Sequence, residues 1–131
     1  MPGGLGGMDI YRANFDGKKF GDKELVRYVN SKGHDCFPLI FDNKLYFTSN
    51  AFTTIGGYDL FVMENFEVKN MGEKFNSKFD DLAIMFNDKK SGYITSNRAN
   101  SGVTDDIYEF KLIDLFVDVQ LAYVVKDKNS G

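Results

Sequence analysis

The stretch Gly-Gly-Met-Asp-Ile-Tyr at Gly6–Tyr11 recurs as Gly-Gly-Tyr-Asp-Leu-Phe at Gly56–Phe61 and, in a degraded form, as Val-Thr-Asp-Asp-Ile-Tyr at Val103–Tyr108. The aspartates that begin these motifs' apolar pairs are spaced by 50 and then 47 residues. A second marker, Thr48-Ser49-Asn50, returns 47 residues later as Thr95-Ser96-Asn97. Self-similarity at a period of about 40–50 residues predicts a repeat architecture.

Short strands separated by turn residues are predicted between the markers. Phe37, Leu39 and Phe41 alternate with Pro38 and Ile40, which places the first three on one face of a strand. The second unit repeats this order with Leu82, Ile84 and Phe86. The other predicted strands are Met8–Asn14, Leu45–Ser49, Tyr58–Glu64, Phe66–Phe75, Gly92–Ser96 and Asp106–Lys111. The pattern predicts an all-β chain of tandem four-stranded antiparallel sheets, which is typical of β-propeller blades, with about two and a half blades in residues 1–111.

The tail differs from the repeats. Residues 117–125 alternate between apolar and other side chains, which predicts one long strand, and no third Ser-Asn marker follows. We therefore expect a boundary near residue 112, with 112–131 forming the first strand of a following domain. The opening Met1–Gly7 falls inside a repeat unit, so we expect the natural N-terminus to lie elsewhere.

Composition limits the classes of function. The 131 residues are 43% hydrophobic, with 13 Phe and 7 Tyr, which suits one domain of half-buried strands. A net charge of −3 without a basic face argues against a nucleic-acid partner. The sequence has no run of roughly 18 apolar residues that could span a bilayer, and its opening does not resemble a signal peptide. The single cysteine, Cys36, cannot form an internal disulfide.

The residue types of the markers suit a structural role. A short Asp beside a strand can accept hydrogen bonds from nearby backbone N–H groups, and paired glycines permit positive φ in the preceding turn. Ser-Asn at a strand end can satisfy backbone groups where the ladder stops. The residues assigned to this signature are Asp9, Ser49, Asn50, Asp59, Ser96, Asn97, Arg98 and Asp106. Because a catalytic site ordinarily uses its residues once, the recurrence favours structure over catalysis.

The sequence gives little support for a catalytic, cofactor-binding or metal-binding site. His34 is the only histidine, lies in a polar turn and is accompanied by no Gly-x-Ser-x-Gly elbow, so we expect it to be a solvated loop residue and predict no catalytic residues and no cofactor. Cys and His are too few for a metal cluster. Asp80-Asp81 and Asp105-Asp106 are carboxylate pairs that could attract Ca²⁺, but neither has the alternating acidic pattern of a calcium loop, so capping and turn roles are favoured for them. Arg98 is a candidate for ligand contact, and an ion pair with a repeat Asp between blades is the favoured alternative.

With both markers aligned, the sequence resembles the WD-repeat-like propeller repeats of the TolB type. Ser96-Asn97-Arg98 with Asp106-Ile107-Tyr108 matches that pattern closely, whereas Ser49-Asn50-Ala51 with Asp59-Leu60-Phe61 lacks the arginine. The Gly-Gly-x-Asp form is similar to the version in OmpA-family envelope proteins of Bacteroidetes, including the PorE-like component associated with type IX secretion. The tail is similar to the first strand of the carboxypeptidase-regulatory-like β-sandwich that follows the propeller in those proteins.

The resemblance implies an incomplete β-propeller located in the periplasm or at the outer membrane, with other envelope proteins as partners. Peptidoglycan would be bound only by an OmpA-like domain that this chain does not contain. Two classes of function remain open. The first is a non-enzymatic structural or interaction module, and the alternative is the propeller portion of a periplasmic hydrolase or peptidase. A hydrolase should continue into an α/β segment, whereas this chain continues into a β-strand, which favours the first class.

Overall fold

The computed structural model describes residues 3–100, 102–114 and 119–121, and in these residues the regular structure is all-β apart from two short 3-10 helices. The predicted all-β class is confirmed. The strands are β1 Tyr11–Arg12, β2 Glu24–Leu25, β3 Asp35–Phe41, β4 Lys44–Ser49, β5 Asp59–Glu64, β6 Glu67–Asn70, β7 Asp81–Asp88, β8 Ser91–Ser96, β9 Asp106–Asp114 and β10 Val119–Leu121. The 3-10 helices are Arg27–Val29 and Arg98–Asn100.

The strands form three antiparallel sheets in which sequence neighbours pair. β1 and β2 form an N-terminal hairpin, β3-β4-β5-β6 form the first sheet, and β7-β8-β9-β10 form the second sheet. Tight turns explain this consecutive order. In the β3–β4 turn both Asp42 and Asn43 have positive φ, at 50° and 60°, and this geometry matches the twist of the flanking strands.

Strand β3 contains a bulge that the sequence pattern did not predict. Its pairing with β4 shifts register between Cys36 and Leu39, and Phe37 has a φ of 50°. The bulge changes the alternation of faces, so Phe37 is 53% exposed while Leu39 and Phe41 pack against the core. The prediction that Phe37 shares their face is therefore wrong. Pro38, which has no N–H to donate to the ladder, is tolerated at such a bulge.

The two four-stranded sheets pack face to face. Their shared core contains Tyr46 and Leu60 of the first sheet and four side chains of the second sheet. Those four are Ile84, Ile94, Tyr108 and Phe110. The Oγ1 atom of Thr48 also donates a hydrogen bond of 2.7 Å across the interface to the carbonyl of Leu82. Burial of each large apolar side chain stabilises the pair by about 1.5–3 kcal/mol.

The opposite face of the first sheet packs against the N-terminal hairpin and the helix that follows it. Leu45, Phe47 and Phe61 form this second core with Ile10 and Val29. The first sheet therefore lies between two neighbours. Side chains along β4 alternate between them, because successive residues of a strand point to opposite faces.

The predicted boundary at residue 112 falls inside a strand. β9 continues to Asp114, and β10 pairs with its last three residues in the same sheet. Most of the long strand predicted for residues 117–125 lies outside the described residues, so the separate domain expected over 112–131 stays a prediction.

The hydroxyl bond between the sheets gives a direct test of their packing. We expect Thr48→Val to lower the free energy of unfolding by about 0.5–1.5 kcal/mol, because the Leu82 carbonyl loses its donor. Thr95→Val, at the same strand position of the second sheet, is the control and should change stability by less than about 0.5 kcal/mol. Urea unfolding at low protein concentration measures both, and equal losses would contradict the interface.

Candidate interaction site

The signature aspartates bond to the loops that precede them. Asp59 is fully buried, and its carboxylate accepts hydrogen bonds from the backbone N–H groups of Ile55 and Gly56. The Oδ1 atom of Asp9 accepts from Leu5 and Gly6 in the same way, at 3.2 Å each. Each carboxylate thus holds the preceding loop against the residue that follows it.

Asp106 occupies the corresponding position in the second sheet. It begins β9 and lies opposite Ser96, just as Asp59 begins β5 and lies opposite Ser49. The two recurring markers are thus register partners in both sheets.

The signature glycines are required by close approach of backbones. A Cβ on Gly56 would lie 2.2 Å from the carbonyl oxygen of Phe79, and a Cβ on Gly6 would lie 2.2 Å from that of Gly33. Neither signature glycine has positive φ, so the predicted reason for these residues is wrong. Each glycine loop instead contacts the loop that leads into the next sheet.

The signature asparagines bond to the strand beside them. Asn50 Oδ1 accepts a hydrogen bond of 2.8 Å from the N–H of His34, and Asn97 Oδ1 accepts one of 2.8 Å from the N–H of Asp80. The adjacent serine also acts on the backbone, because Ser49 Oγ accepts from the N–H two residues later. These bonds replace the ladder where the strands end.

The side chain of Arg98 contacts other residues of the protein. Its Nη2 donates to Asp81 Oδ1 at 2.6 Å and also to the carbonyl of Phe75, and its guanidinium lies over the ring of Tyr108 at 5.7 Å. Ser96 Oγ donates to the same Asp81 oxygen at 2.6 Å. The ion pair therefore joins two positions of the second sheet, whereas a pair between sheets was expected.

A repeated asparagine that the sequence analysis did not single out completes the network. Asn76 Oδ1 accepts from the N–H of Leu60 at 2.7 Å, and its Nδ2 donates to the carbonyl of Leu60 at 2.9 Å. Asn30 makes the same two bonds to Ile10, at 2.6 and 2.8 Å. The signal was present in the sequence, because Asn-Ser recurs before the first strand of each sheet.

A buried aspartate begins the first strand of each sheet; a structural role was predicted for Asp81 but not for Asp35. Asp35 and Asp81 are buried, and the Oδ2 atom of each accepts a 2.6 Å hydrogen bond from the N–H of Ser31 or Ser77. Asp35 Oδ1 has no hydrogen-bond partner among the described residues. Ala51 stands in the first sheet where the second sheet has its arginine, so Asp35 lacks the guanidinium donor that Asp81 has.

His34 and Cys36 lie near this aspartate without forming a reactive pair. The imidazole of His34 is half-buried and packs on Gly7, where a Cβ would lie 2.3 Å from His34 Cε1, so its prediction as a solvated loop residue is wrong. Burial raises the pKa of the Cys36 thiol, and the charge of Asp35 raises it further. The thiol is therefore protonated near neutral pH and weakly nucleophilic.

The acidic pair at Asp80-Asp81 is engaged in hydrogen bonds. Asp80 Oδ1 accepts from the N–H of Tyr58 at 3.0 Å, and Asp81 is bound as described above. No group of three or more His, Cys, Asp or Glu residues that could hold a metal ion occurs within the described part of the chain. In the same residues, no helix is long and apolar enough to cross a membrane.

From the sequence, Phe52, Phe66 and Tyr123 are expected either to form a protein-binding patch or to be core side chains without their neighbours. Phe52 is half-buried and packs on Phe47 and Phe61, with ring centroids 6.0 and 5.5 Å away. Phe66 is exposed and contacts the ring of Tyr28 at 5.2 Å. The third aromatic considered, Tyr123, lies outside the described residues.

The outer face of the second sheet, which points away from the first sheet, is the best candidate for an interaction site. It forms a shallow concavity of about 370 Å³. Its lining residues are Ala83, Ile84, Met85, Tyr93, Thr95 and Ile107. Contact with another apolar surface is what such a face can provide.

The unequal partners of the two buried aspartates predict unequal sensitivity to mutation. In Asp81→Asn the new amide would direct N–H groups at the donors of Arg98 and Ser96, whereas in Asp35→Asn it would face no such donors. We expect Asp81→Asn to cost about 1–3 kcal/mol more stability than Asp35→Asn, as measured by urea unfolding. A cost for Asp35→Asn equal to or above that for Asp81→Asn would contradict the assignment.

Comparison with known proteins identifies no relative of this chain. No protein-family model, no curated protein and no solved structure matches the chain significantly.

Proposed function

We propose that this chain is a non-enzymatic structural and interaction module built from propeller-type sheets. The observation that supports the proposal is the use of its recurring polar side chains. Asp59, Asn76 and Asp81 are buried, and their hydrogen bonds hold loop backbone, strand ends or a neighbouring side chain of the same network. A side chain with its hydrogen bonds already satisfied inside the fold has little capacity left for a substrate.

The arrangement of the sheets supports the propeller-type assignment. Each complete unit is an antiparallel meander, and the second sheet packs face to face on the first. A closed propeller has about four to eight such sheets, and the described residues form two of this kind. The second of them exposes its outer face, and an exposed sheet face suits an interaction module.

The proposed location is the bacterial cell envelope, as part of an OmpA-family protein of the PorE-like kind. The support is the resemblance of two markers, Gly56–Phe61 and Ser96-Asn97-Arg98, to the repeats of that family. Other envelope proteins are the proposed partners.

The location is tested by fractionation. In the cells that encode it, an epitope-tagged form of the protein should appear in the periplasmic and outer-membrane fractions, beside an envelope marker and apart from a tagged cytosolic control. Recovery with the cytosolic control would overturn the envelope assignment and leave the structural role untouched.

The absence of catalysis is tested separately. We expect no turnover when the purified chain is incubated with peptide and glycan substrates, because the recurring acidic residues are engaged by the fold. His34→Ala is the decisive variant, since His34 is the only histidine. Turnover by the native chain that is lost in His34→Ala would favour the hydrolase alternative.

A further inference from the structure

The outer face of the second sheet is apolar and exposed. Met85 is 60% exposed and Ile107 is 53% exposed, although both lie within strands of a four-stranded sheet. None of the residues that line the concavity is charged. Glu109, the register partner of Tyr93, lies beside it on β9. An exposed apolar sheet face of this kind indicates a contact with another surface.

The repeat shows which kind of surface this face is built to contact. Tyr46 and Thr48 of the first sheet are buried against the second sheet, and Tyr93 and Thr95 are the same residues at the same strand positions. Ile107 likewise follows its signature aspartate, as does the fully buried Leu60. The outer face of the second sheet therefore carries residues that correspond to those with which the first sheet packs against its neighbour.

A further sheet could not pack on this outer face in the orientation in which the second sheet packs on the first. That orientation needs Gly56, where a Cβ would lie 2.2 Å from the carbonyl oxygen of the incoming loop. The second sheet has Val103 at this position and Thr104 in place of Gly57. An incoming loop in the same orientation would collide with the valine, so the occupant approaches in a different way.

Within the described residues, a second copy of the chain offers a matching sheet face that no other sheet covers. Within each copy, the first sheet is covered on both faces, and the inner face of the second sheet is covered by the first. The outer face is the remaining face of the two four-stranded sheets as described. We propose that two copies pack outer face to outer face around a two-fold axis.

A two-fold contact satisfies the constraints above. It brings the same patch of both copies together and directs no glycine-loop partner at Val103. Face-to-face sheets pack about 10 Å apart, with interdigitating side chains such as Met85 and Ile107. Each copy has a net charge of −3, and the uncharged lining keeps that charge away from the centre of the contact. The dimer does not depend on the proposed envelope location.

Sedimentation of the 131-residue chain from micromolar to millimolar concentration tests the proposal. We expect a reversible monomer–dimer equilibrium. Ile107→Glu and, independently, Met85→Glu should raise the dimer dissociation constant roughly tenfold or more, because each places two carboxylates within the contact. Ile40→Glu is the matched control, since Ile40 is 70% exposed on the first sheet and should leave the equilibrium unchanged. Circular dichroism verifies that each variant is folded.

A cysteine series tests the two-fold arrangement itself. In a Cys36→Ser background, a single cysteine is placed in turn at Met85, Thr95 and Ile107, and each variant is treated with a thiol-reactive bismaleimide whose arm spans the separation of two packed sheets, about 10 Å. At least one variant should be cross-linked to its own counterpart. A chain that stays monomeric throughout would overturn the proposal, as would a dimer insensitive to both glutamates. Dimerisation without a cross-link in any of the three variants would exclude the two-fold contact in favour of a head-to-tail one.

Discussion

A buried carboxylate at the start of a strand, holding the N–H groups of the preceding loop, is the interaction on which the arrangement depends. Asp59 does this for the loop that ends at Gly56, and the glycine then lies against the loop entering the second sheet. The carboxylate fixes the loop, and the loop fixes the next sheet. Because the hydrogen bonds of a buried carboxylate must be satisfied, the loop has little freedom to adopt another shape.

The same logic explains why the polar residues do not amount to a catalytic site. Asparagines such as Asn76 act as short substitutes for a strand, exchanging two hydrogen bonds with one backbone residue, Leu60. The aspartates that begin the first strands instead accept hydrogen bonds from a serine, as Asp81 does from the N–H and Oγ of Ser77. A network of this kind contributes specificity of structure, since its bonds form only when these particular partners meet.

The two sheets differ in the residue that follows the Ser-Asn marker and in what it contacts. In the second sheet, Arg98 neutralises Asp81 and covers the ring of Tyr108. In the first sheet, Ala51 cannot do so, and Phe52 covers the ring of Phe61 instead. The apolar contact replaces the packing role of the arginine but not its hydrogen bond to the aspartate, and Asp35 Oδ1 is unpartnered among the described residues.

Sequence patterns were enough to predict the repeat, the all-β class and the identity of most network residues, because those depend on local patterns that recur at a fixed spacing. The sequence also predicted most strands of the two four-stranded sheets, since tight turns such as Asp42-Asn43 and alternating apolar residues are local signals. The predicted strand Met8–Asn14 forms only over Tyr11–Arg12, and its partner Glu24–Leu25 was not predicted. Asn76 could have been assigned to the network by aligning the units, although its bonding partner could not.

Tertiary structure alone decided the rest. The close approach that requires Gly56, the bulge that turns Phe37 outward and the partner of Arg98 all depend on atoms distant in sequence. The exposure of the outer face of the second sheet also depends on tertiary structure. Alternation along β8 and β9 shows that a face is apolar, but only the stacking order of the sheets decides which of two similar faces is covered and which is left open.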